Sequence, residues 1–376
     1  NYMPYSYTVV KGQEIVKRLH AKVKKMLILD GHKLQFHPGT VADLLEGSDV
    51  FPVYAEISPV AHCNHRCIFC NFNYLGHTGK FPTGRMISLV EELAEAGVKS
   101  LVFAGSGEPT IHQDTIPAIE NAKRSGLDVA MSTNGVLLDN KAIEVIVRDL
   151  TWIRFSFSGG SPENYAAVHN TRESDYELVL NNITKMSVMK ERTDSSLTIG
   201  TQFMLLPENK DYVVSQAKIM KDCGADYFVV KHFYESETNE YSAGNSFPSG
   251  ELVASLREAA ACISNDTFSF ILRDVDHLDR SRKYTNCLGL PLIVYFREDG
   301  EAYTCFFHQH DENTSLGSVV NQSFRELWES DGKKKAISYI NDKIDKNKCQ
   351  ANCRHHQINN YLWDLKHNQP AHVNFI

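Results

Sequence analysis

Between residues 53 and 231 the chain repeats one pattern six times, a short apolar run followed by a stretch of helical periodicity. The runs are 53-VYAEIS-58, 98-VKSLVF-103, 127-LDVAMS-132, 152-WIRFSF-157, 197-LTIGTQF-203 and 226-DYFVVK-231. In 87-ISLVEELAEAGV-98 the apolar positions Ile87, Val90, Leu93 and Ala94 share one helical face, and Gly97 stands where the helix must end before the next strand. Gly126 and Gly224 punctuate the chain in the same way. Strands alternating with helices build a parallel sheet, because each parallel connection needs a crossover and that crossover is right-handed. Six units are too few for a closed eight-stranded barrel. The predicted fold is therefore α/β, a partial (β/α)6 TIM-type barrel that stays open, with its chemistry at the C-terminal ends of the strands.

Composition narrows the function classes. With 39 basic and 46 acidic residues and a net charge of -7, the chain lacks the basic footprint expected for nucleic acid or an anionic membrane, so a small-molecule substrate is the easier expectation. The first thirty residues carry no apolar region of signal-peptide length, and the longest apolar runs elsewhere fall short of a membrane span, which predicts a cytoplasmic protein. Nine cysteines in a reducing compartment read as metal ligands or catalytic thiols before they read as disulfides.

Three of those cysteines lie in 63-CNHRCIFC-70, directly after the first strand and so at the barrel mouth. Two ligand readings compete on spacing alone. A structural zinc would take a fourth ligand such as His62 or His65, whereas an iron-sulfur cluster on three thiolates leaves one iron open. A second group, Cys287, Cys305, Cys349 and Cys353, brackets a hairpin with its turn near Asp299-Gly300 and a short helix at 324-FRELWES-330. By spacing this unit could be a zinc domain. Cys223 and Cys262 are expected to be small buried apolar residues.

With Phe69 before its last cysteine, the triplet resembles the Cys-x3-Cys-x-aromatic-Cys signature of the radical S-adenosylmethionine superfamily. Three further stretches follow in the family's order. They are 104-AGSGEP-109, similar to its Gly-Gly-Glu-Pro element with Ser106 in place of the first motif glycine, 131-MSTNG-135, similar to its Thr-Asn-Gly element, and the serine-rich 154-RFSFSGG-160. The resemblance covers roughly residues 50 to 235. It implies a 4Fe-4S cluster on Cys63, Cys67 and Cys70, whose open iron chelates S-adenosylmethionine and whose electron releases a 5'-deoxyadenosyl radical. It also implies cofactor contacts from Phe69, Gly105, Gly107, Glu108, Ser132, Asn134, Ser156 and Ser158, and an external electron donor such as flavodoxin or ferredoxin. Glu108 is expected to meet the cofactor's amino group, and the glycines to let the backbone approach it.

The C-terminal third resembles the auxiliary-cluster domains of the same superfamily, the SPASM type and its shortened twitch form, with spacing similar to twitch-domain 2-deoxy-scyllo-inosamine dehydrogenases. This implies a second 4Fe-4S cluster on Cys287, Cys305, Cys349 and Cys353. The expected organisation is an accessory segment at 1–50, the barrel at 51–275 and the auxiliary domain at 285–376. The expected reaction is hydrogen abstraction from a carbohydrate-like substrate (a small polyol, sugar or aminocyclitol), completed by oxidation with the auxiliary cluster as electron acceptor. Radical epimerisation, peptide modification and a non-catalytic metal-binding module are the alternatives. Lys231 and His232, after the sixth strand, and Arg273, ending 268-FSFILR-273, are the candidate catalytic residues for the substrate hydroxyl or an attached anion.

Overall fold

The computed structural model describes residues 31–375 apart from 236–238, 245–246 and 274–280. The basic stretch GQEIVKRLHAKVKKML lies outside the described residues. The acidic stretch 40-TVADLLEGSD-49 begins within α1 (Pro38–Leu45), whose Val41 is buried.

The six expected strands form at β1 (Tyr54–Ile57), β2 (Ser100–Phe103), β3 (Asp128–Thr133), β4 (Trp152–Ser156), β5 (Thr198–Leu205) and β6 (Tyr227–His232). Helices α2 (Arg85–Glu95), α3 (Thr115–Arg124), α4 (Asn140–Asp149), α5 (Pro162–His169), α6 (Ser174–Thr193) and α7 (Val213–Asp222) connect them. Gly97, Gly126 and Gly224 follow the ends of α2, α3 and α7 with φ of 89°, 88° and 81°, a left-handed conformation that side chains resist.

The sheet extends beyond the six predicted units. After α8 (Gly250–Ile263), β7 (Ser269–Arg273) pairs parallel to β6, and β8 (Ile293–Phe296) pairs parallel to β1 with Glu56 opposite Tyr295. β9 (Glu301–Tyr303) and β10 (Ser315–Ser318) continue antiparallel, giving the order β10-β9-β8-β1-β2-β3-β4-β5-β6-β7. β7 and β10 are the two ends of that order, so the barrel is partial and the auxiliary hairpin is an extension of its sheet.

Strand alternation sorts the side chains. Ala55, Ile57, Leu101, Phe103, Val129, Met131, Ile153, Phe155, Ile199, Phe203, Phe228 and Val230 join the main core beneath the helices, so their neighbours in sequence face the lumen. The lumen-facing Ile293 and Tyr295 of β8 pack instead with Val41 of α1 and with Ile358 and Leu362 of α11 (Arg354–His367). The auxiliary segment docks through α9 (Phe324–Trp328), which α10 (Asp331–Lys343) follows; the buried Trp328 donates Nε1–H to Val50 O at 2.8 Å, while Arg85 of α2 donates Nε–H to Val319 O at 2.6 Å. The C-terminal 368-NQPAHVNFI-376 ends in apolar residues that would suit docking, yet Val373 and Phe375 are 53% and 84% exposed.

Candidate functional site

The loop after β1 is held from three sides. Glu108 N–H donates to His62 O at 3.0 Å, Ala61 N–H to Gly79 O at 3.1 Å, and Arg66 and Ile68 donate their N–H groups to His169 O and Val168 O at 3.0 Å each. Gly107 sits so close beneath this loop that a Cβ there would lie 2.2 Å from His62 O, and Gly105, at φ +134°, would place one 2.3 Å from Ser58 Oγ. Glycine at both positions is a condition of the loop's closure. The three thiols converge, each half-buried. Burial pushes Cys63 up to about 11 and raises Cys67 and Cys70, and neighbouring thiolates raise Cys63 and Cys67 further. Such a set of thiolates is stable as anions only with a cation among them, which fits an iron-sulfur cluster.

Glu108 is enclosed by donors of the protein itself. Its carboxylate is 2% exposed and accepts Thr110 N–H and Oγ1–H (3.1 and 2.7 Å), Thr133 Oγ1–H (2.7 Å) and Asn134 N–H (2.7 Å). Burial pushes its pKa up despite these donors. It positions the Thr-Asn-Gly turn, which in turn brings Asn134 Nδ2 to Asn64 Oδ1 (2.7 Å) and 3.8 Å from Cys63 Sγ. Ser158 is also engaged within the protein: its Oγ accepts Met204 N–H at 3.0 Å and its carbonyl accepts Asn209 Nδ2–H at 2.7 Å. Ser132 and Ser156 face the lumen from β3 and β4, and Phe69 packs edge-on to His169, ring centroids 5.9 Å apart. Ser106, the departure from the glycine motif, bonds Ser58 Oγ at 2.7 Å and Glu298 Oε2 at 2.8 Å, joining the motif loop to the turn of the auxiliary hairpin.

His169 belongs to the site and was not found in the sequence. Its Nε2 accepts Ser158 N–H at 2.9 Å, and burial holds the ring well below the ordinary histidine pKa, so the neutral ring carries its proton on Nδ1, 3.1 Å from Cys67 Sγ. His65, Cys67 and His169 place their ligand atoms within 4.8 Å of one another. His65 also lies 3.5 Å from the buried Asp175. His62, the other candidate fourth ligand, is exposed.

The second thiol group converges as well. Cys305 is raised by burial and by Cys353, Cys287 and Cys349, and burial takes Cys287 to about 12 and Cys353 to about 11. Asn359 Nδ2–H donates to Cys287 Sγ at 3.3 Å, and Cys353 caps the N-terminus of α11. Lys346, buried beside this group, donates to the carbonyls of Ile340, Asn341 and Ile344 at 2.6, 2.7 and 2.8 Å. The next residue after Cys353, Arg354, reaches Glu56 Oε2 on β1 at 3.1 Å. A shallow cleft beside β1 and β8 is lined by Glu56, Ser58, Ser106, Tyr295 and Phe306 among others.

At the mouth, Lys231 and Arg273 are register partners on the lumen face of β6 and β7. His232 falls on the opposite face, in register with the core residue Leu205, and is 8% exposed. Of the remaining thiols, both expected to be buried, Cys223 caps the end of α7 and is only partly buried against the core, and Cys262 on α8 is exposed.

The sequence matches the radical SAM superfamily over residues 57–215 and the iron-sulfur cluster-binding SPASM domain over residues 287–355. The chain therefore belongs to the radical S-adenosylmethionine superfamily and carries a SPASM domain, with S-adenosylmethionine and 4Fe-4S clusters as its cofactors. It is 29% identical to a probable GTP 3',8-cyclase of Methanocaldococcus jannaschii over 45% of this chain and 55% of the relative. It is 22% identical to the tungsten-containing aldehyde ferredoxin oxidoreductase cofactor-modifying protein of Pyrococcus furiosus over 74% of this chain and 81% of the relative. The chain spans about half the length, or less, of the cyclases it matches. In fold it is similar to Streptococcus suis SuiB bound to S-adenosylmethionine, with a TM-score of 0.64 at 13% identity over 94% of this chain and 82% of that one. The match in the C-terminal third is to the SPASM domain, and nothing in it singles out the twitch form. No helix among the described residues is long and apolar enough to cross a membrane.

Proposed function

We propose that this radical S-adenosylmethionine enzyme removes a hydrogen atom from a small substrate in the barrel lumen and oxidises the carbon radical that remains. A polyol, sugar or aminocyclitol is the substrate class, and flavodoxin or ferredoxin in a cytosolic setting is the electron donor. When bound, the cluster on the Cys63 loop and S-adenosylmethionine supply the 5'-deoxyadenosyl radical, and the cluster on Cys287, Cys305, Cys349 and Cys353 supplies a one-electron acceptor. The chain's own residues position and deprotonate. Glu108 fixes the turn at 133–135, and Gly105 and Gly107 allow the motif loop to close on the Cys63 loop. Lys231, on the lumen face, takes the hydroxyl proton as the neutral amine, while Arg273 beside it, permanently charged, holds the substrate in place. One hydrogen atom, one electron and one proton then account for the two hydrogens lost.

The observation that supports oxidation over epimerisation is the position of the two spare thiols. An epimerase must return a hydrogen atom to the substrate, and Cys223 lies at the end of α7 against the core while Cys262 is exposed on α8. The test is an assay of reduced, reconstituted protein against polyols, sugar phosphates and aminocyclitols, following 5'-deoxyadenosine and product mass. GTP and peptides belong in the same panel, because relatives are GTP 3',8-cyclases and SuiB has been crystallised with the precursor peptide SuiA. A product two hydrogens lighter than a hydroxylated small molecule supports the reading, and turnover with peptides alone sinks it.

A further inference from the structure

Register places Ser132, Arg154, Gly200, Tyr227 and Ser269 side by side across β3 to β7, all facing the lumen. Arg154 is the charge in this layer, and the reaction outlined above leaves it unused. Its Nε is buried without a hydrogen-bond partner, and its Nη2 reaches Ser132 Oγ only at 3.4 Å. The Trp152 ring lies 5.5 Å from the guanidinium carbon. No carboxylate among the described residues forms an ion pair with it, and the one on the neighbouring wall, Glu56, already accepts from Tyr54 and Arg354 at 2.6 and 3.1 Å. Burial disfavours the charge most, and Arg354 and Arg273 add repulsion that Tyr227 and Glu56 only partly offset. What surface Arg154 retains opens to the lumen by strand alternation.

The surroundings are shaped toward the same point. Gly200 leaves room for Tyr227 to cross β5 toward Arg154, since a Cβ there would lie 1.9 Å from Tyr227 Cζ. Two residues further along β5, the buried Gln202 Oε1 also lacks a partner. Arg154 is half-buried with its Nε enclosed and unpartnered, and a charge held so without a counterion is unfavourable unless a ligand supplies one.

We propose that Arg154 is the anion anchor of the substrate site, so that the substrate carries a carboxylate or phosphate group which enters the lumen and accepts from the guanidinium. This rests on the lumen being the substrate site, as in the function proposed above. The anchor sits two residues before the end of β4, deeper in the lumen than the Cys63 loop and Glu108 at the strand ends, which assigns it to the substrate and not to the carboxylate of S-adenosylmethionine.

The experiment uses reconstituted full-length protein with S-adenosylmethionine, titrated with inorganic phosphate or acetate while the thermal midpoint is followed. One or both anions raise the wild-type midpoint, and the larger response tells phosphate from carboxylate chemistry. Arg154→Gln weakens the apparent anion affinity by about tenfold or more, while its anion-free midpoint equals or exceeds that of wild type because an uncompensated charge is gone. Its iron content and S-adenosylmethionine affinity are unchanged, and Arg154→Lys retains part of the response. No anion response in wild type, an equal response in Arg154→Gln, or a matching loss of S-adenosylmethionine affinity overturns the proposal. Formation of 5'-deoxyadenosine, measured on the same samples, reports separately on the radical reading.

Discussion

Glu108 Oε2 accepts the backbone N–H of Asn134 at 2.7 Å, so the acidic residue of one motif holds the turn of another. Removing the carboxylate leaves the buried donors of Thr110, Thr133 and Asn134 without their acceptor. Glu108→Ala should destabilise the protein by about 2 to 4 kcal/mol and weaken S-adenosylmethionine binding while leaving the thiolates intact. Denaturant unfolding and cofactor titration of clustered protein check this. Unchanged stability would remove the positioning role.

The seven converging cysteines predict iron stoichiometry. Reconstituted protein should hold about eight irons per chain, and replacing Cys63, Cys67 and Cys70 by Ala should leave about four. Replacing Cys287 and Cys353 should also leave about four, and S-adenosylmethionine cleavage should survive uncoupled from product. Iron and sulfide analysis with the anaerobic absorption spectrum decides it.

His169 predicts a change in potential. Its Nδ1–H points at Cys67 Sγ from 3.1 Å, and hydrogen bonds to thiolate ligands help set the reduction potential of a cluster. His169→Phe should shift the midpoint potential of that cluster to a more negative value in a spectroelectrochemical titration. An unmoved potential would mean that the contact is structural only.

The position of the spare thiols predicts the isotope outcome. In deuterated water the product should carry no solvent deuterium at carbon, by mass spectrometry. A product of unchanged formula carrying one carbon-bound deuterium would mean epimerisation, and would direct attention to Cys223 and Cys262.

His232 predicts a pH dependence of stability. Burial lowers its pKa below 6.5 in the folded protein. A depressed folded pKa contributes stability that is complete above the unfolded value and lost as pH falls below it. The wild-type thermal midpoint should therefore fall further than that of His232→Phe between about pH 7 and about pH 5.5. Parallel curves would show that His232 is not protonated on unfolding.

The strand-helix alternation, the glycines after α2, α3 and α7, and the hairpin turn near Asp299-Gly300 were legible in the sequence, because each is set by residues only a few positions apart. The seven cysteines were legible for the same reason, as spacing within short loops. β7 and β8 were not counted among the barrel strands, because an isolated apolar run does not state its partner: β8 pairs with β1 only after the chain has returned to that edge. The same limit applied to the site. Cys67 and His169 are 102 positions apart and Glu56 and Arg354 are 298 apart, so no local pattern marks either contact. The motif marks Glu108 as a cofactor contact, and only the folded structure shows that its carboxylate also holds the 133–135 turn. Period and spacing determined which elements form and which thiols gather. Only the crossovers of the folded sheet decided which wall each charge faces, and so left Arg154 in the lumen without a counterion among the described residues, because a strand's alternation separates its two faces while tertiary packing alone supplies the neighbours on them.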